Sequence, residues 1–353
     1  MSNIEINDKR QKSEFKSITF SKFKKSEAKK ELIKCLQSGN IEQSCYWSAE
    51  FICSGDFLYL WDIIFFFMSK YIHIGNPKLP LYIDSRLEIF KDIVNKGYSD
   101  NILKLRNNID IRKMFIEIVG ILCCSKKKNS YDIPKINDSA FNMIEITHKL
   151  VAKHKKAGYK IFQNEDPREI FIAINELAWN IKCKNKDTLR AIYWLEWIIE
   201  YEKLCKKKKI IKKCARRNIP VENKFQCDMI WIVWDIILSE AKVQNNGLFK
   251  IIKSLLNIFC LKYKNSFKNK RKLLIYNAIS LLTETYDTKI IIVKDIKLIE
   301  KLKINYNEIY KQIKKNELKP NTNYLFKNVQ EKNLESTINK LDKFNSLTYI
   351  PRN

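Results

Sequence analysis

The residues able to do chemistry in this chain are few, and their spacing says as much as their types. Only three histidines are present, His73, His148 and His154, with no H-E-x-x-H and no paired C-x-x-C, so the familiar zinc ligand sets are missing. Of the ten cysteines, Cys183, Cys205, Cys214 and Cys227 lie in or around a basic run. Four thiolates could fill a zinc shell, but the spacing is irregular, and unliganded thiols are the expected state. The seven glycines stand apart from one another. A phosphate-cradling loop needs glycines close together so that backbone N–H groups can approach the anion, and neither G-x-x-x-x-G-K-[ST] nor G-x-G-x-x-G occurs. There is no G-x-S-x-G elbow for a nucleophile. The carboxylate pairs Glu196/Glu200 and Glu50/Asp56 are of a kind that helix surfaces carry routinely, and they give no acid–base assignment. His73, near the end of an aromatic helix, reads as a structural histidine, with carbonyl capping or phosphate contact as the alternative. The expectation is a non-enzymatic protein with no metal and no cofactor.

Cationic chemistry remains. The formal charge is +27, and of 66 basic residues only ten are Arg, leaving 56 Lys. Two runs concentrate this charge: Lys206, Lys207, Lys208, Lys209, Lys212, Lys213, Arg216 and Arg217 in the first, and Lys264, Lys268, Lys270, Arg271 and Lys272 in the second. Both follow the end of a helical pattern in the sequence, where cations complement the carbonyl dipole and could converge on one polyanion surface. Nucleic acid is the usual partner of such a balance. With Lys dominant, contact would be directed at phosphate, salt-sensitive and without sequence preference, because bidentate reading of guanine is chiefly an Arg task. The competing readings are a nuclear localisation signal, or a solvated surface whose Lys, Ile and Asn reflect A/T-rich coding.

These side chains must be positioned by helices. Glycine and proline are too scarce for turn-rich sheets, while 45% of residues are hydrophobic. The chain reads as all-α, a multi-helix array of packed αα hairpins. Its expected parts are a basic flexible arm (residues 1–25), helical subdomains at 26–157 and 158–315, and a polar tail at 316–353. Helices are expected over 27–37 and 41–53, and from 57 to about 74 after a tight turn at Ser54-Gly55-Asp56, with Gly55 left-handed and Asp56 as cap. Asp84 and Asp110 are expected to begin the next two, and Asp166-Pro167-Arg168-Glu169 to open another through a capping box. Further helices are expected over 188–208, 222–243, 247–263, 268–285 and 288–303, with a short strand at 290–293 as the one β candidate. YWSAEFI, YWLEWII and IWIVWDII repeat a mixture of aromatic, acidic and aliphatic residues in both halves, which ordinary core packing explains as well as duplication does. The most apolar run, residues 57–68, falls short of the about 20 residues that span a bilayer and contains Asp62, so no membrane span is expected. Polar N-terminal residues and cysteines set in apolar patterns point to reduced thiols in cytosol or nucleus.

The segment from Cys45 to Pro77 resembles the helical collar of clamp-loader-like AAA+ ATPases of the Werner-helicase-interacting, recombination-associated family. Tyr46, Trp47 and Ala49 precede the Gly/Asp turn, and Ser69, Ile72, Asn76 and Pro77 match the following motif, whereas Lys70, Tyr71, His73 and Gly75 depart from it. The family's Walker motifs are missing, so the resemblance implies a docking or oligomerisation module and no ATPase. Through CYWSAEFICSGDFLYLWD, IHIGNPKLP and AIYWLEWIIEYEKLCKKKK the chain also resembles a protein family of nucleocytoplasmic large DNA viruses (giant viruses). That resemblance implies a viral factory in the host cytoplasm, the nucleus or the virion as its setting. The expected function is an accessory to viral DNA replication, recombination or genome handling, with nucleic acid and viral replication or virion proteins as partners. A structural, virion-associated interaction scaffold is the alternative.

Overall fold

The computed structural model describes residues 4–210, 212–293, 295–318, 336 and 338–340. Among them every regular element is helical, and residues 290–293 are irregular rather than a strand. The first half holds α1 (Lys25–Ser38), α2 (Ile41–Cys53), α3 (Phe57–Phe67), α4 (Leu79–Asn95) and α5 (Ile109–Cys124), followed by the one-turn helices α6 (Met143–Ile146) and α7 (Lys156–Tyr159). The second half holds α8 (Phe171–Ile181), α9 (Thr188–Lys207), α10 (Ile230–Gln244), α11 (Asn246–Cys260), α12 (Phe267–Thr283), α13 (Ile296–Ile304) and α14 (Tyr306–Lys314).

Local capping explains several starts and corrects others. Asn40 accepts from Gln43 N at the head of α2, and Asp187 from Arg190 N at the head of α9. Helix α5 is capped by Asn108, which accepts from Ile111 N at 3.0 Å, rather than begun by Asp110. Helix α4 begins at Leu79 with Pro80 in its first turn, so Asp84 lies inside it, bonded to Asn257. Gly55 does take the left-handed conformation (φ +73°), but Asp56 does not cap α3; its carboxylate accepts from Ser54 Oγ and pairs with Lys25. The capping box at Asp166 is also absent. A 3-10 turn, Arg168–Ile170, precedes α8, because Asp166 accepts instead from Gln163 N, Ala215 N and Arg217.

Helix α3 does not run on as an α-helix to Gly75. It widens into a π-helix over Met68–Ile72 and closes in a 3-10 turn, His73–Gly75, with His73 at φ +47° and ψ −127°. Residues 126–130 pass directly beneath this junction. Lys128 and Ser130 donate backbone N–H groups to Tyr71 and Lys70, and a Cβ on Gly75 would stand 2.4 Å from the Lys126 carbonyl oxygen. The Phe57–Gly75 run of 19 residues is long and apolar enough to cross a membrane by length and composition alone. Burial against α2 and α12 uses much of that apolar surface.

The N-terminal residues are not a free arm. Phe15 and Phe20 are wholly buried and stacked on each other, Ile6 is buried, and Arg10 lies over both rings. Asp8 holds Arg10 and accepts from Leu318 N, which closes the N-terminal segment onto the end of α14. The expected boundary at 157/158 falls inside α7, where Ala157 and Gly158 pack on α8. One apolar core runs through both halves, joined where α12 packs on α3 and α11 on α4. The polar tail lies almost entirely outside the described residues.

Candidate nucleic-acid interface

Helices α9 and α12 decide what the two basic runs can do. Helix α9 ends at Lys207, and its last turn lies beside the first turns of α12. The joint is Glu202, which accepts from Lys206 Nζ through one carboxylate oxygen and from Lys268 Nζ through the other. Lys268 also reaches Asp228 at 2.5 Å. Burial by itself would raise the Glu202 carboxyl, but the flanking Lys268 and Lys206 ammonium groups hold it below the usual range, so it stays ionised. The two basic runs therefore meet at one end of the helical bundle.

Not all of the predicted cations face solvent there. Lys206, Lys207, Lys208, Lys209, Lys213, Arg216, Lys264 and Lys270 are exposed, while Lys212 is half-buried and pairs with Glu169. Arg216 is engaged by Gln226 and Asn223. Arg217, Lys268, Arg271 and Lys272 are buried and must be withdrawn as phosphate contacts. Arg217 is held by Asp166 at 2.5 Å and by Asp235 at 3.1 Å. Arg271 donates to Asp62 and to the carbonyls of Phe259 and Leu261. Lys272 reaches Glu196 at 2.7 Å, and Glu196 also accepts from Tyr276. Removing one partner of such a pair leaves a buried charge uncompensated, at a cost of about 3–5 kcal/mol. These four cations tie segments of the molecule together through buried ion pairs. The run of charge in the sequence could not show this, because the acids that neutralise it come from other segments of the chain.

The carboxylate pairs sort in the same way. Glu196 belongs to the buried Lys272 network, and Glu200 forms an exposed pair with Lys203. Glu50 is buried and accepts from Ser21 N and Oγ. The four cysteines raised as zinc ligands do not converge: Cys205 and Cys214 are buried, Cys183 is exposed, and among the described residues no group of three or more metal-ligating side chains exists. No family model, curated protein or solved structure matches the chain.

Sequence reasoning missed a further set of residues beside the exposed lysines. Tyr59, Asp62, Phe66 and Ser69 line a cleft together with Lys29 of α1 and Asn269 and Lys270 of α12. The signal was legible in part, since Asp62 and Tyr59 interrupt an otherwise apolar helix on one face. Its place beside Lys270 depends on how α12 crosses α3.

Proposed function

We infer that this is a non-enzymatic helical accessory protein that holds nucleic-acid phosphates at the α9/α12 end, within viral DNA replication, recombination or genome handling. The observation that carries this reading is Glu202, which draws the last turn of α9 and the first turns of α12 together through Lys206 and Lys268, with the exposed Lys207–Lys209 and Lys264 following and preceding that joint in the chain. No ion pair among the described residues engages Lys207, Lys208, Lys209, Lys264 or Lys270. Exposed ammonium groups without a carboxylate partner suit contact with phosphate that is indifferent to sequence. Each phosphate neutralised releases counterions, with a salt slope of about −0.9 for duplex DNA and about −0.7 for single strands.

Fluorescence anisotropy with labelled DNA, titrated across salt concentrations, tests the reading. The wild-type chain should bind with an affinity that falls steeply as salt rises. Replacing Lys206, Lys207, Lys208, Lys209 and Lys264 with Gln should weaken binding at least tenfold at low salt and flatten the slope. Binding that is absent, or indifferent to salt, would overturn the reading and leave the interaction scaffold in its place.

A further inference from the structure

The cleft between α1, α3 and α12 offers more than charge. Tyr59, Asp62, Phe66 and Ser69 are separated by three, four and three residues, the spacing that sets side chains along one face of a helix. The other faces of α3 bury Phe57, Leu60, Trp61, Ile64, Phe65 and Phe67 in the core. The open face bounds a cleft of about 290 Å³, opposite Lys29 and Lys270. That volume lies just below the about 300 Å³ at which small-molecule sites begin, so it suits one planar ring rather than a pair.

Its chemistry is mixed in a particular way. Tyr59 and Phe66 are half-buried aromatic rings, and Lys29 Nζ lies 5.4 Å from the centre of Phe66. Lys270 is exposed at the opposite rim. Arg271 forms the rear wall and is unavailable to a ligand, since Asp62 holds it at 2.7 Å. Ser69 is wholly buried, and its Oγ has no hydrogen-bond partner, which leaves one donor and acceptor at the inner end. Aromatic surface, a buried hydroxyl and two rim cations correspond to a base, its polar edge and its flanking phosphates.

We propose that this cleft takes one unstacked nucleotide of a single strand, with the base against Tyr59 and Phe66, its edge toward Ser69 Oγ, and its phosphates between Lys29 and Lys270. The proposal rests on the phosphate-binding reading of the adjacent lysines. A duplex keeps its bases stacked and cannot enter, so the cleft makes the protein prefer single strands. Every base has a stackable face, so the preference tolerates sequence.

Three probes of equal length decide it with the full chain: oligo-dT, the same strand built from abasic sugar-phosphate units, and a duplex. Oligo-dT should bind about tenfold more tightly than the abasic strand, the effect of one stacked base. The double variant Tyr59→Leu/Phe66→Leu, with its fold checked by circular dichroism, should lower oligo-dT to the abasic level. Equal affinity of the wild type for oligo-dT and the abasic strand overturns the cleft while sparing the phosphate reading. Failure to bind any of the three overturns both. The comparison of strands on the wild type stands even where the double variant does not fold.

Discussion

His73 shows how a single residue can be strained and buried at once. Its φ of +47° is uncommon for a residue with a Cβ, it follows a π-helical turn, and both features cost free energy that the surrounding packing must offset. Burial lowers its pKa from 6.5 to about 4, while Glu284 and the Ser69 carbonyl oppose the shift and Lys128 and Lys70 add to it. The ring is therefore neutral when folded, with Nδ1 against the Ser69 carbonyl oxygen at 3.2 Å. The unfolded chain binds a proton near pH 6.5 and the folded chain only near 4. The neutral ring's contribution is thus complete above pH 6.5 and lost as pH falls toward 4. Urea denaturation should show a loss on the order of 3 kcal/mol across that window from this group alone. His73→Asn, whose side chain tolerates positive φ, should remove that part of the slope. An unchanged slope would mean that another group titrates. The buried thiols follow the same physics: burial pushes Cys53 and Cys260 up to about 12 and Cys123 to about 11, which keeps them protonated and unreactive.

At the scale of elements, the N-terminal segment departs furthest from its sequence appearance. Its lysines are exposed as charge and polarity suggest, but every few residues an apolar side chain turns inward, and Phe15 and Phe20 complete the core above α1. Arg10 lies buried between them and Asp8, so one of the cations that made the segment look like an arm is an internal fastening. Phe20→Ala should destabilise the protein by about 3–5 kcal/mol in chemical denaturation, the range for a fully buried Phe. Phe23→Ala, which removes a 42% exposed ring packed edge-on against Trp47, should cost about 1 kcal/mol. Equal effects at the two positions would place the segment outside the core.

For the whole molecule, α12 is the decisive element. From Arg271 to Thr283 every residue is buried, and the helix touches α3, α8, α9, α10, α11 and the π-helical turn. Such a helix is apolar or internally paired all round, which is why its low amphipathicity does not mark a surface helix. It also couples the halves: the first half cannot lose α12 without exposing α3, and the second cannot keep it without α9 and α10. Calorimetry should therefore record one unfolding transition with matching calorimetric and van't Hoff enthalpies. Two separable transitions would show that the halves fold independently.

The sequence by itself determined the helical class, most helix spans to within a few residues, the left-handed Gly55 turn and the absence of nucleotide and metal motifs. Those properties depend on periodicity, turn chemistry and local spacing, and all three act over a few residues. Tertiary structure decided which cations are surface and which are structural. Arg217 and Arg271 look like their neighbours in sequence, and only Asp166, Asp235 and Asp62, brought from other segments, neutralise them. The aromatic surplus of α3 was divided in the same way. Trp61 and Phe65 went into the core and Tyr59 and Phe66 to the cleft, because a helix presents its faces by geometry, while what covers each face depends on segments distant in the chain.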